Sequence, residues 1–367
     1  MTDDYLDSEE LRASASDVLR EHEAVGLAHK ANKPGADPDR LWSMFSELGW
    51  PGLVLPEQFG GLAQRFIELG IVYEELGGGL APDTFLGTMM CAEALLQADG
   101  EAAERYLPAI AEGRCKGRFQ TPEPAVPIPA QRAGSDIVLN GVASFVFGAE
   151  AADLTLVSLD LAGELAYAMV ETQAPALNAR RVPMWDQTRS LYEISFSKTR
   201  IPQSAVLCIG EAARALNSRL TGHFCLALAC DAIGGAAAIL DRTLEYMKVR
   251  HQFGRPIGSF QALKHRCADH KTMLEAAAAL TRAACRLYAE QGPGWERMAH
   301  AAKHRATHSY TTLSVDAIQL HGGIGFTTEH ECHLFLKRAR LNEMSCGTPS
   351  QQKDAIAESL RRELARA

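Results

Sequence analysis

The stretch RHQFGRPIGSFQ, residues 250–261, decides how the second half of the chain folds. It follows a long helical pattern, and Gly254 and Pro256 stop that helix and turn the chain. The residues alone leave two interpretations open. The stretch is either a helix-to-helix corner with solvent-exposed arginines, or a site where Arg250 grips a phosphate and Phe253 covers a flat heterocycle. Taken by itself, it favours the corner.

The chain on both sides of this stretch divides into three parts with different residue patterns. Residues 1–117 carry apolar side chains at helical spacing, as in the stripe from Leu41 to Leu48. Residues 118–203 open with a proline-rich run and continue with short apolar runs typical of strands. Residues 204–367 contain alanine-rich windows that favour long helices. We therefore predict a mainly α protein, with an N-terminal helical domain, a small middle β domain and a C-terminal helical domain at these boundaries.

Within the middle part, the sequence predicts individual strands and one tight turn. Residues 154–157, 166–170 and 192–196 have strand length and composition. Asn140-Gly141 stands between apolar residues, and this pair predicts a hairpin because both residues tolerate positive φ. On this interpretation, Gly134-Ser135-Asp136 is the entry to that hairpin.

Composition limits the classes of function. The 37 Lys and Arg residues against 45 Asp and Glu give a net charge of −8, which argues against nucleic acid or anionic membrane as the main partner. The apolar residues 226–240 are interrupted by Asp231 and are too short to span a bilayer. The acidic N-terminus is not that of a signal peptide. None of the nine cysteines forms a C-x-x-C pair, which predicts a reduced, cytoplasmic chain without disulfides or a metal site.

Further motifs accompany residues 250–261. Residues 319–326, QLHGGIGF, form a glycine-rich turn after a helix, which is either a helix cap or a place where backbone N–H groups approach a phosphate. This turn follows no strand, so it is not a nicotinamide-type dinucleotide fingerprint. Near the N-terminus stand FSELGW at 45–50, VLPEQFGG at 54–61 and YEELG at 73–77.

In this order and at this spacing, the motifs resemble the acyl-CoA dehydrogenase family over about residues 40–360. The resemblance implies a helical domain, a β-barrel-like domain and a C-terminal four-helix bundle. It also implies FAD bound across a subunit interface, oxidation of an acyl-CoA thioester by loss of an α-proton and a β-hydride, and an electron-transfer flavoprotein as acceptor.

The resemblance also assigns residues to the cofactor. In the family, the adenosine and pyrophosphate of each flavin are held by the neighbouring subunit through Arg-x-x-Phe-Gly and Gln-x-x-Gly-Gly phrases. Arg250 is the counterpart that pairs with the pyrophosphate, and Phe253 packs on the adenosine part. The full set of implied cofactor-binding residues is Arg250, Phe253, Ile257, Gln261, Gln319, Gly322 and Gly323.

The catalytic half of the family pattern is missing. Cys346 occupies the position of the usual catalytic Glu, and the alternative position on the helix before Arg250 holds Phe224. Phe147 replaces the Thr that hydrogen-bonds the flavin ring, and much of the flavin-cradling loop after residues 121–124 is absent. A carboxylate is needed to take the α-proton, so we predict no catalytic residue in this chain.

The chain thus keeps the residues with which a family subunit binds its neighbour's flavin. It lacks the residues that would form its own active site. We expect a non-catalytic subunit of a heteromeric acyl-CoA dehydrogenase, paired with a second family subunit, as in the α2β2 enzymes that act on steroid side-chain CoA thioesters. Two alternatives stay open. One is an active homo-oligomer that uses His223, Glu343 or Cys346 as a displaced base or nucleophile. The other is a flavin-free, acyl-CoA-binding scaffold.

Overall fold

A computed structural model describes residues 3–30, 40–98, 100–122 and 125–365. The chain begins with helices, continues through a sheet and ends with helices, which confirms the predicted mainly α fold with a middle β region. The N-terminal helices are α1 (Asp3–Glu21), α2 (Ala24–Lys30), α3 (Arg40–Glu47), α4 (Phe66–Gly78), α5 (Thr84–Ala98) and α6 (Glu101–Ala111).

Helix α4 is the N-terminal element that packs most closely on the rest of the protein. Its partner is the long helix α7 (Glu211–Val249). A Cβ added at Gly234 of α7 would lie 1.6 Å from the carbonyl oxygen of Glu74, and one added at Gly77 would lie 2.2 Å from that of Asp231. Glycine at both positions lets the two backbones touch, so the N-terminal helices are fixed on the C-terminal ones.

The middle part is one eight-stranded sheet. Its path runs β6-β7-β3-β1-β4-β5-β8, with β2 paired to both β3 and β4. The pairs β1–β4 and β2–β4 are parallel and the others antiparallel. The strands are β1 (Gly117–Gln120), β2 (Ile128–Ala133), β3 (Asp136–Gly148), β4 (Leu154–Leu161), β5 (Glu164–Glu171), β6 (Leu177–Val182), β7 (Leu191–Pro202) and β8 (Val206–Ile209).

The predicted hairpin at Asn140-Gly141 is wrong. Strand β3 runs straight through these residues, because they pair with Ser197 and Phe196 of β7 beside a register shift. The tight turn lies at Gly134-Ser135 instead, between β2 and β3. Gly134 supplies the positive φ, +67°, that such a turn requires.

The C-terminal part is a helical bundle. It contains α7, α8 (Gln261–Ala289), α9 (Trp295–His321), α10 (Cys332–Met344) and α11 (Pro349–Leu364), and a short ribbon of β9 (His251–Gln252) and β10 (Arg255–Pro256) joins α7 to α8. Of the described helices, α7 is long and apolar enough to cross a membrane by length and composition only. Within the fold, 89% of its most apolar window is buried, as in a core helix.

A buried ion network joins the three parts of the molecule. Arg189, in the loop after β6, lies 2.8 Å from Asp83 before α5 and 2.9 Å from Asp231 of α7. Arg338 of α10 lies 2.8 Å from Asp231 and 3.3 Å from Asp186. All five side chains are buried. Each guanidinium therefore has carboxylate partners, and the network fixes the three parts against one another.

Candidate functional site

The two predicted cofactor-binding phrases lie at the same end of the bundle. Residues 250–261 connect the end of α7 to the start of α8, and residues 319–326 follow the end of α9. Tyr246 in the last turn of α7 donates a hydrogen bond to the carbonyl of His321, 3.2 Å away, and the two rings stack with centroids 4.5 Å apart. We call this region, with the seven predicted cofactor-binding residues, the bundle-end surface.

The first phrase places Arg250 and Phe253 in solvent. Ile257 donates its backbone N–H to the carbonyl of Arg250 at 2.8 Å and closes the loop. Phe253 is 91% exposed, with a positive φ of 54°, and its ring meets Phe260 edge to face at 6.1 Å. An aromatic ring held out in this way has apolar area to bury against a ligand or partner. Gln261, also exposed, begins α8 beside this loop.

The second phrase is equally open. Gln319, Gly322 and Gly323 are exposed, and a Cβ built on either glycine meets no atom within 4 Å. The N–H of Gly322 already donates to the carbonyl of Gln319 as a helix cap. Gly322 can therefore offer a phosphate close approach to its backbone, and the exposed side-chain amide of Gln319 offers the hydrogen-bond donor.

Phe147, which the resemblance puts in place of the flavin-bonding Thr, packs among other buried aromatic rings. The ring centroids of Phe147 and Phe224 lie 6.1 Å apart, and Phe119 packs on Phe224 at 5.1 Å. All three side chains are buried. A flat ring inserted between two others needs about 7–8 Å, twice the contact distance of carbon atoms. The residues present therefore do not fit a flavin ring between Phe147 and Phe224.

The side chain that the resemblance puts at the position of the catalytic carboxylate is a buried thiol. Cys346 follows α10, and its Sγ lies 3.6 Å from the Sγ of Cys225 on α7. Gln352 of α11 donates its side-chain amide to the carbonyl of Cys346. Glu343, three residues before Cys346, lies in the last turn of α10 and pairs with Arg340 at 2.7 Å. Its carboxylate is therefore engaged on the helix.

His223 belongs to a buried polar chain that the sequence did not indicate. Its Nε2 lies 2.8 Å from the hydroxyl of Tyr73, and its Nδ1 lies 3.4 Å from the carboxylate of Glu93. Glu93 also accepts from Arg219 at 2.7 Å. Burial by itself raises the pKa of Glu93, but His223 and then Arg219 outweigh it and lower the pKa to about 2. His223 is thus a core histidine with partners on α4 and α5.

A second group of histidines stands beside the bundle-end surface. His321, His330 and Cys332 each place one possible metal-ligand atom within 4.8 Å of the others. The Nδ1 of His321 lies 2.8 Å from the carbonyl of Ala317, and the Nδ1 of His330 accepts from the backbone N–H of Cys332. Both nitrogens therefore already have protein partners, and the absence of a metal site stays a prediction.

Comparison with known proteins gives consistent matches along the chain. A family model described as "Acyl-CoA dehydrogenase, N-terminal domain" matches residues 6–114, and one described as "Acyl-CoA dehydrogenase, C-terminal domain" matches residues 214–361. Acyl-CoA dehydrogenase IpdE2 of Mycobacterium tuberculosis is 33% identical, over 90% of this chain and 89% of that protein. Acyl-CoA dehydrogenase IpdE2 of Mycolicibacterium smegmatis is 32% identical, over 93% and 95%.

Solved structures share the fold. Butyryl-CoA dehydrogenase from Megasphaera elsdenii superposes with a TM-score of 0.86 at 22% identity, covering 96% of this chain and 97% of that one. A variant of the Tcur3481-Tcur3483 steroid ACAD also has a TM-score of 0.86, at 24% identity, covering 98% and 99%. At these identities the likeness concerns the fold alone.

Proposed function

The chain belongs to the acyl-CoA dehydrogenase family, and on that premise we propose that it is the non-catalytic, FAD-sharing subunit of a heteromeric acyl-CoA dehydrogenase. Its partner is a second acyl-CoA dehydrogenase-family subunit, which supplies the catalytic carboxylate. The complex oxidises the α,β bond of a CoA thioester, and this chain completes the partner's cofactor site.

The observation that carries the proposal is the contrast between two places in one molecule. At the bundle-end surface, an arginine, an aromatic ring and two open glycines face solvent. In the interior, the buried ring of Phe147 packs on Phe224, and the resemblance expects a flavin-bonding Thr at the first position and a carboxylate at the position of Cys346 or Phe224. A subunit that only completes its neighbour's cofactor site needs the bundle-end surface. It does not need a flavin pocket or a catalytic carboxylate of its own.

The bundle-end surface has the chemistry for the adenosine and pyrophosphate half of FAD. The guanidinium of Arg250 pairs with phosphate oxygens in a bidentate geometry, and Gln319 adds a neutral donor. Phe253 and Ile257 give apolar area to the adenosine part. When bound, the flavin supplies the acceptor of the β-hydrogen.

The substrate class and setting come from the relatives and the composition. A structural neighbour is described as a steroid ACAD with two components, which supports a bulky acyl-CoA such as a steroid side-chain thioester as the substrate. We place the complex in the cytoplasm with an electron-transfer flavoprotein as acceptor. The net charge of −8 supports a role without nucleic acid or membrane.

Flavin content is the direct test. The chain is produced alone and together with a candidate partner subunit, and flavin absorbance is measured against subunit mass. We expect no flavin in the chain alone and one flavin per pair of unlike chains in the complex. A yellow homo-oligomer with one flavin per chain would contradict the proposal and favour the active homo-oligomer. No flavin in an assembled complex would favour the scaffold.

A matched pair of arginine variants tests the site. In the complex, Arg250→Lys loses the bidentate phosphate contact, and we expect flavin affinity to fall by about tenfold or more. Arg255 lies in the same loop, and its guanidinium already covers the ring of Phe260 at 4.1 Å. Arg255→Lys therefore serves as the control and should retain flavin. Equal retention by both variants would remove Arg250 from the site.

A further inference from the structure

Two pairs of cysteines approach each other closely in the buried core. The Sγ atoms of Cys225 and Cys346 are 3.6 Å apart, and those of Cys230 and Cys285 are 3.8 Å apart. All four side chains are buried, and none of them is part of a disulfide. A disulfide requires the sulfur atoms to approach to about 2.05 Å, so each pair is within a small movement of that bond. The surroundings of the two pairs differ in ways that decide their reactivity.

Polar groups surround the first pair. The Nδ1 of His300 lies 2.7 Å from the side-chain oxygen of Gln352 and 3.8 Å from the Sγ of Cys225. The side-chain nitrogen of Gln352 donates to the carbonyl of Cys346. The side-chain oxygen of Gln352 is therefore the acceptor that faces His300. His300 thus presents an N–H group both to Gln352 and to the sulfur of Cys225. A donor at this place stabilises a thiolate.

A buried ammonium group provides positive charge at the same place. Lys303 is fully buried, and its Nζ donates to the carbonyl of Gly347 at 2.6 Å and to that of Glu343 at 3.1 Å. Among the described residues, no carboxylate forms an ion pair with it. Burial lowers the pKa of Lys303. The electrostatic effects of Cys225 and then of Cys346 act in the opposite direction. A thiolate on either cysteine would give this buried cation its missing counter-charge.

Solvent reaches the edge of this cluster. A cavity of about 620 Å³ opens between the first turns of α7, the start of α9 and the end of α11. His300 lines it together with Thr221 and Gly222, one turn before Cys225 on α7. A small, uncharged oxidant in this cavity can therefore approach the thiol pair as far as the side chain of His300.

We propose that Cys225 and Cys346 form a redox-active dithiol, which hydrogen peroxide oxidises to a disulfide at the position that the resemblance gives to the family's catalytic carboxylate. One thiol loses its proton to water, and its sulfur attacks a peroxide oxygen. The O–O bond breaks, a sulfenic acid forms and the departing hydroxide takes up a proton. The second sulfur then attacks the sulfenic sulfur, the S–S bond forms and the S–O bond breaks. Two thiols and one peroxide give one disulfide and two waters.

The pair Cys230–Cys285 is an internal control. The hydrogen bond with Cys285, followed by burial, raises the pKa of Cys230 well above its usual range, and the charge of Glu74 acts in the same direction. None of the four cysteines lines the cavity at His300, but His300 itself lies 3.8 Å from the sulfur of Cys225. The cation that acts on Cys230, Arg12, is itself paired with Glu74 and Glu75, so this pair should stay reduced although it is nearly as close.

Peptide mapping of the folded chain tests the inference. The reduced full-length chain is treated with graded hydrogen peroxide, quenched, denatured and alkylated, and digested without reductant. We expect a linked peptide of Cys225 and Cys346 at the lowest doses, forming about tenfold or more faster than any Cys230–Cys285 link. Links forming at equal rates, or oxidation of Cys346 to sulfonic acid without a link, would overturn the inference.

Variants assign the roles within the cluster. Cys346→Ser should abolish the link, while Cys285→Ser, the matched control, should leave its rate unchanged. His300→Leu removes the donor and should slow the link by about tenfold without abolishing it. An unchanged rate in His300→Leu would refute the role of His300. If a variant does not fold, the comparison of the two pairs in the unmodified chain still decides. The inference does not rest on the proposed function, because the map reports the thiols of this chain without flavin or partner.

Discussion

Replacing Arg338 by methionine should destabilise the whole molecule, because Arg338 is the point where the three parts meet. Its guanidinium is fully buried and pairs with Asp231 and Asp186. It also donates to the hydroxyl of Thr188 at 2.9 Å and to the carbonyl of Ala81 at 2.8 Å. Methionine has a similar length and occupies the space, so the loss is mainly electrostatic.

The size of the destabilisation depends on the buried carboxylates that remain when Arg338 is removed. The network holds three carboxylates, Asp83, Asp186 and Asp231, and two guanidiniums, Arg189 and Arg338. Without Arg338, three buried carboxylates share one cation, and the carbonyl of Ala81 loses its partner. Removing one member of a buried ion pair costs about 3–5 kcal/mol, and an unsatisfied buried carbonyl adds about 1–3 kcal/mol. We therefore expect a loss of about 4–8 kcal/mol in the free energy of unfolding.

The assay is urea unfolding followed by circular dichroism, with Arg340→Met as the control. Arg340 lies on the same helix, is about half exposed and pairs with Glu343. Glu343 is buried but Arg340 is about half exposed, so losing this single pair should cost about 1 kcal/mol, and the control should unfold much closer to the unmodified chain than Arg338→Met does. If the unfolding free energies of Arg338→Met and Arg340→Met differ by less than about 1 kcal/mol, the network does not hold the three parts together.

Two further predictions concern the interior. Phe224→Ala should cost about 3–5 kcal/mol in unfolding free energy, because it opens a cavity between Phe119 and Phe147; a loss under ~1 kcal/mol would mean that the three rings are not packed as described. Glu93→Gln should destabilise the chain at neutral pH. Since the fold lowers the pKa of Glu93 from 4.5 to about 2, its contribution is present above pH 4.5 and is lost as the pH falls toward 2. The difference from the unmodified chain, measured by urea unfolding at several pH values, should therefore shrink below pH 4.5, and a constant difference would contradict the role of the ionised carboxylate.

Local signals explain how much of the fold the sequence predicted. The helices of the first and last parts and the strands at 154–157, 166–170 and 192–196 follow from periodicity and propensity, which act between near neighbours. The Asn140-Gly141 hairpin failed for the opposite reason. Long-range pairing of β3 with β7 overrode the local turn preference, and the turn fell on Gly134.

Part of the candidate site could also be predicted from the sequence, and part could not. The bundle-end surface rests on two short phrases that can be seen in the sequence, and the helices bring them to one end. The partners of His223 could not be predicted, since Tyr73 stands 150 residues away along the chain. Cys225 and Cys346, 121 residues apart, show no motif that would link them. Such contacts depend on how helices pack, which a single sequence does not specify.

The two proposals meet at one position, and their experiments separate them. On the proposed function, a subunit that uses its partner's carboxylate needs no acid at position 346, and a thiolate formed there would be a counter-charge for the buried ammonium of Lys303. On the proposed function, flavin content depends on the bundle-end surface, and Cys225 lies about 24 helical residues, or roughly 36 Å, from that end of α7. If Arg250→Lys loses flavin while the peptide map of Cys225 and Cys346 is unchanged, the two ends act independently. If peroxide treatment of the complex forms the link and also releases flavin, the interior thiols regulate the shared site.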